Sequence, residues 1–129
     1  MIVLDTNVVS YIFGGDDRAQ YYIEQIRGSR ALISFQTLEE LWYGAFAKGW
    51  GIRRKNELAR HIEQYEIVWT GPELAKVCAR LRSERRSAGR EMNSADAWIA
   101  ATAILLECPL ASHDRDFSEI PGLELIRSS

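Results

Sequence analysis

Of the eighteen acidic residues in this 129-residue chain, twelve are glutamates and six are aspartates: Asp5, Asp16, Asp17, Asp96, Asp114 and Asp116. Four of the aspartates stand where a carboxylate needs a reason. Asp5 closes Met1-Ile2-Val3-Leu4, an unbroken aliphatic run that reads as a fully buried strand. A charge at the tip of such a strand is costly unless something there uses it. Asp96 falls in the first turn of the most apolar segment, residues 95–106. The helix dipole alone would favour an acid there, but burial asks for a cation or several donors. Asp114 and Asp116 flank Arg115 just after another apolar run, where ordinary turn chemistry is the competing reading. Two carboxylates about 5 Å apart repel by roughly 3 kcal/mol at an effective dielectric near 20. If these four acids converge, a hard divalent cation resolves the repulsion. Mg²⁺ or Mn²⁺ suits an all-oxygen site and keeps waters that act as nucleophiles, which is the chemistry of phosphodiester hydrolysis.

Glu40 is a fifth candidate with a strong rival explanation. Thr37-Leu38-Glu39-Glu40 fits a capping box, in which Glu40 would only bond back to the start of its helix. Against this, Glu40 faces away from the Leu38, Leu41 and Trp42 stripe, alongside Thr37, Gly44 and Ala47, and residue physics leaves the two readings even. Asp16 and Asp17, after Gly14-Gly15, read as helix caps. His61 reads as a helix-surface residue, and His113, without a second histidine nearby, is not read as a metal ligand.

Strands and helices alternate around these residues. Strands are predicted at 1–5, 31–34, 66–69, 109–112 and 123–126. Helices are predicted at 6–13 and 16–28, through Leu38 to Phe46, at 52–65, from Pro72 along the Leu74, Val77, Cys78 and Leu81 stripe, and at 95–106. Residues 83–93 read as a polar loop or a fraying helix end. Such alternation implies a parallel sheet covered on both faces, with the ligand site beyond the carboxyl ends of the strands. Asp5 after strand one, and Asp114 and Asp116 after strand four, then share one rim.

Composition narrows the class. The length fits a single domain spanning residues 1–129, and 47% hydrophobic with 26% charged residues is ordinary for a globular protein. A net charge of −2 excludes a global basic footprint, so nucleic-acid contact must come from a local patch. Arg80, Arg82, Arg85, Arg86 and Arg90 supply one just before the Asp96 helix, although a solvated helix face is the alternative. Cys78 and Cys108 are too few and too far apart for a disulfide framework or a zinc motif. No segment before the first strand reads as a signal peptide, and 95–106 is too short to span a bilayer, so a cytoplasmic, membrane-free protein is expected. Tyr21, Tyr22, Trp42, Tyr43, Phe46 and Trp50 exceed the needs of one end of a small core and suggest a dimer surface or a groove for a partner helix.

Taken together, "IVLDTN", "ISFQTLEELWYGA" and "LRSERRSAGREMNSADAWIAATAILLECPLASHDRDF" resemble the PIN-domain ribonucleases, specifically the VapC-type toxins of bacterial toxin–antitoxin pairs, over residues 1 to about 126. The resemblance implies a three-layer α/β/α sandwich with a central parallel sheet, and Mg²⁺- or Mn²⁺-dependent endoribonuclease activity. It also implies that Asp5, Glu40, Asp96, Asp114 and Asp116 are the catalytic acids. Asp5, Asp96 and Asp114 would hold metal, Asn7 and Ser112 would position water or ligands, and Glu40 rather than Glu39 would be the helix acid. His113 stands where relatives more often carry Arg. Arg82, Arg85, Arg86 and Arg90 are the candidate RNA contacts. A cognate antitoxin in the active-site groove, and a homodimer or toxin–antitoxin hetero-oligomer, are the expected assemblies. The rival readings are a non-enzymatic receiver-like module and a PIN fold retained only for RNA binding. The first is disfavoured by the single acid after strand one and by Trp69-Thr70-Gly71 after strand three, the second by the intact acid set.

Overall fold

The computed structural model describes residues 1–128. Five strands, β1 (Ile2–Leu4), β2 (Ala31–Ser34), β3 (Glu66–Val68), β4 (Leu110–Ala111) and β5 (Leu125–Ile126), form one sheet in the order β3-β2-β1-β4-β5. Every neighbouring pair is parallel. Helices α1 (Thr6–Gly14), α2 (Ala19–Ile26), α3 (Phe35–Ala47), α4 (Ile52–Ile62), α5 (Pro72–Ser87) and α6 (Ser94–Leu106) connect the strands.

The strand period of two sorts the core into two layers. Ile2 and Leu4 of β1 and Ile33 of β2 pack with Val8, Val9, Tyr22, Leu41, Leu58 and Ile62 from α1–α4. Val3 and Leu32 pack on the other face with Leu81 of α5 and with Ile99, Ala100 and Ala103 of α6. This is the expected α/β/α sandwich. The chain lays down β1, β2 and β3 in one direction, then crosses to place β4 and β5 on the other side of β1. The order therefore switches between β1 and β4, and a parallel sheet opens its ligand crevice at such a point. Asp5 and Ser112 follow those two strands directly.

Helix α1 stops where Gly15 takes φ 68° and its N–H bonds to the Tyr11 carbonyl, a left-handed cap that a side chain would strain. Two elements differ from expectation. The stretch 83–93 is divided: α5 continues to Ser87, with Leu74, Cys78, Leu81 and Arg85 as its buried residues, and 88–93 is loop. The fourth member of that stripe is an arginine, only 9% exposed, and this disguises the helix as polar sequence. Strands β4 and β5 span two residues each, shorter than the apolar runs suggest. Among the described residues, no helix is long and apolar enough to cross a membrane.

Candidate metal centre at the carboxyl rim of the sheet

Asp5 is the N-cap of α1. Its Oδ1 accepts the Thr6 N–H at 2.7 Å and its Oδ2 accepts the Ser112 hydroxyl at 2.6 Å. The residue is 6% exposed. Burial, augmented by the nearby charges of Asp96 and Glu40, pushes its pKa up to about 6 despite the two hydrogen bonds. The same Ser112 oxygen accepts from the Asp114 N–H at 3.0 Å, so one buried hydroxyl joins the tips of β1 and β4.

Asp114 caps a 3₁₀ turn, Arg115–Phe117, by accepting the Asp116 N–H at 2.9 Å. Asn93 caps α6, and the pair is reciprocal: the Asp96 N–H donates to Asn93 Oδ1 at 2.8 Å, and Asn93 Nδ2 donates to Asp96 Oδ2 at 2.9 Å. The local turn and cap chemistry that competes with a functional reading is therefore present at both acids. It does not account for where they meet. Asp96, Asp114 and Asp116 each bring a carboxylate oxygen into one group whose atoms lie within 4.8 Å of one another. Partial burial, then the charges of Asp114, Glu40 and Asp116, raises the Asp96 pKa. Asp5 stands outside this tight group but close enough to feel Asp96 and Glu40.

Glu40 is not a capping-box residue. Ser34, three residues before Thr37, is the N-cap of α3 and accepts the Thr37 N–H at 3.0 Å. Glu40 lies a turn further in and accepts the Thr6 hydroxyl at 2.6 Å. Thr6 Oγ1 in turn lies 3.1 Å from Thr37 Oγ1. Thr6, which sequence reasoning passed over, thus fastens Glu40 of α3 to the first turn of α1. The only available signal was its place directly after Asp5.

All the donors at this rim are oxygens, and the acids repel one another. Beside them on the first turn of α1, Asn7 Oδ1 is the one buried side-chain polar atom without a partner among the described residues. A lone buried acceptor calls for a donor or a cation. Oxygen-only ligation with like charges crowded together fits a hard divalent cation.

A family model described as "PIN domain" matches residues 2–123. The chain belongs to the PIN-domain family. Ribonuclease VapC5 of Mycobacterium tuberculosis is 30% identical to this PIN domain over 97% of the chain and 93% of the relative. Among solved structures, VapBC2 from Rickettsia felis, bound to a DNA fragment from its promoter, has a TM-score of 0.87 at 25% identity, covering 98% of both chains. VapBC-5 of M. tuberculosis, a member of the VapBC family of toxin–antitoxin systems, has a TM-score of 0.74 at 29% identity, covering 98% of this chain and 97% of that one.

The basic stretch of this PIN domain borders two adjoining hollows. Arg85 and Arg90 line a cleft of about 360 Å³ together with Asp96, Asp116 and Arg115. Arg115 was not among the expected contacts, because sandwiched between two aspartates it reads as turn polarity. Arg82 and Arg86 are exposed and line a neighbouring hollow that shares Glu91 and Met92 with the cleft. His61 is not a surface residue: it is half-buried against Phe13, its Nε2 2.8 Å from the Tyr65 hydroxyl. His113 Nδ1 lies 3.0 Å from the hydroxyl of fully buried Tyr22. Asp16 does not cap α2; it accepts the Arg18 N–H and pairs with the Arg18 guanidinium at 2.8 Å.

Proposed function

We propose that this PIN domain is a metal-dependent endoribonuclease acting as the toxin of a toxin–antitoxin pair. The observation that carries the reading is the convergence of Asp96, Asp114 and Asp116 within 4.8 Å at the strand-order switch. These three acids, with Asp5, would hold the cation, Mg²⁺ with Mn²⁺ as a substitute. When bound, such an ion lowers the pKa of its water and offsets charge on the phosphoryl oxygens.

The chain's own side chains do the rest. Ser112 keeps Asp5 and the Asp114 backbone in register. Asn93 fixes one oxygen of Asp96, leaving the other available as a ligand. Thr6 holds one oxygen of Glu40, so its other oxygen can orient the attacking water and take its proton. Asn7 Oδ1, buried and unpaired, supplies a further acceptor for that water. Ionised Asp5 is required for full cation affinity, which sets an acid limit near its raised pKa.

The partner is an antitoxin, supported by the VapBC systems to which the chain is similar. Its docking surface in this reading is α3, where Tyr43 is 59% and Phe46 is 65% exposed. That surface adjoins a groove of about 210 Å³ between α1, α3 and α4, lined by Phe13, Gly44, Trp50 and Arg54 and reaching Glu40. Gly44 opens into this groove, with nothing within 4 Å of where a Cβ would stand. A helix laid there would approach the acidic site from the Glu40 side. Action on cytoplasmic RNA by a single 1–129 domain, in a homodimer or a toxin–antitoxin hetero-oligomer, completes the reading. A receiver-like module is set aside, because three of the acids meet on the β4 and α6 side and β3 ends without one.

End-group analysis of a cleaved RNA oligonucleotide tests it. A carboxylate site, with His61 and His113 each engaged by a different tyrosine hydroxyl, cuts by water attack to give 5′-phosphate and 3′-hydroxyl ends. Recovery of 2′,3′-cyclic phosphates, or full activity in EDTA, overturns the proposal.

A further inference from the structure

We infer that Arg85, with Arg115, forms an anion subsite that takes an RNA backbone phosphate flanking the bond to be cut, an inference that rests on the ribonuclease reading above. Arg85 is only 9% exposed and lines the same cleft as Asp96 and Asp116. Among the described residues it has no carboxylate partner. Its one side-chain hydrogen bond, to the Glu119 carbonyl, is long at 3.4 Å. A guanidinium carries five N–H donors in a rigid fork, so most of its capacity is unspent, and a buried cation without an anion is unfavourable. The neighbouring arginines are otherwise placed. Arg90 is bound to Glu119 Oε2 at 2.8 Å, and Arg82 and Arg86 line the neighbouring hollow rather than the acidic cleft.

Charge logic gives Arg85 its ligand. An acidic cleft repels a polyanion, and RNA binding there needs a cation whose attraction is not spent on the acids themselves. Arg85 sits in a water-poor wall, where a forked contact to phosphate is strong. The aspartate group serves the bond being cut. A guanidinium elsewhere in the same cleft is placed for the next phosphate along the strand, with exposed Arg115 on the 3₁₀ turn as the second contact.

The full chain, purified free of any partner, is titrated with a short RNA in EDTA, where no cleavage occurs. Arg85→Met should weaken RNA binding about 10-fold at low salt and reduce the slope of log affinity against log salt by about one. Arg30→Met, which removes a charge at the opposite rim of the sheet, should change affinity less than twofold. Because Arg85→Met could fail to fold, the wild-type protein is also followed by ¹⁵N NMR. The Arg85 Nε–H signal should move on adding RNA while that of Arg30 stays still. A folded Arg85→Met with wild-type affinity and slope, or an unmoved Arg85 signal in RNA-saturated protein, overturns the inference and leaves the ribonuclease reading standing. A signal that responds to the partner protein but not to RNA overturns it as well. No RNA binding and no cleavage by the wild type overturns both.

Discussion

The hydroxyl of Ser112 donates to Asp5 across 107 residues of sequence at 2.6 Å, and the same oxygen receives the Asp114 N–H. The first and the fourth strand therefore share a single small buried group, and the acid at one tip is oriented by the backbone at the other. Ser112→Ala removes the donor from a buried carboxylate and the acceptor from the Asp114 loop. We expect metal affinity and RNA cleavage each to fall about 10- to 100-fold, the range for groups that orient metal ligands. Ser112→Thr keeps the hydroxyl and should retain most of both. Calorimetric Mn²⁺ titration of the two variants is the check.

Asp5 has a pKa of about 6 in the folded protein against 3.8 for the free side chain. Between those values the folded state binds the proton and the unfolded state does not. The metal-free protein is thus favoured by this group at low pH, and loses that contribution as pH rises through about 6. At 1.36 kcal/mol per pH unit of separation the effect is about 3 kcal/mol. Cation affinity runs the opposite way and should weaken as pH falls through the same range. Asp5→Asn should flatten the dependence of metal-free stability on pH between 4 and 7, read as denaturant midpoints in EDTA. An unchanged pH profile in that variant would remove Asp5 as the titrating group.

Asp96→Asn is expected to abolish cleavage, by more than ~100-fold given that even residues behind metal ligands are worth 10- to 100-fold, while raising the melting temperature in EDTA near neutral pH. Burial and three neighbouring acids all disfavour its charge in the folded state. The amide keeps the shape and removes one source of repulsion, trading function for stability. A clearly lower melting temperature would mean that the Asn93 cap, not the acidic cluster, is what the carboxylate serves.

Phe46→Ser removes a ring that is 65% exposed on α3. If the antitoxin docks there, its affinity should drop by about 2 kcal/mol or more, the range for an aromatic anchor at an interface. The variant's own melting temperature should barely move, as for other surface substitutions. Pull-down with the co-encoded partner, scored against wild type, distinguishes the two.

The alternation of strands and helices was legible because β1 and β2 are short apolar runs and most helices carry plain 3.6-residue stripes. The end of α5 was not, since its last buried position is Arg85, a residue that polarity scales assign to solvent. For Glu40, sequence left cap and site even, and only the position of Ser34 at the helix start separated them. The grouping of Asp96 with Asp114 and Asp116 was legible as a list of acids but not as distances. Which acids share a contact shell depends on how α6 and the 3₁₀ turn pack, and that lies beyond local pattern. The coupling of Thr6 to Glu40 and the presence of Arg115 in the cleft are tertiary facts of the same kind.

The placement of β1 between β2 and β4 also bears on how the protein is made. Asp5 is synthesised 107 residues before its Ser112 partner, and the Asp114 loop follows that serine. A nascent chain still short of β4 leaves one edge of β1 unpaired and lacks two of the three clustered aspartates. The rim site of this PIN domain is therefore completed only after the β4 segment and the loop behind it have been made. A product that stops between Asp5 and Ser112 carries the first acid without the site.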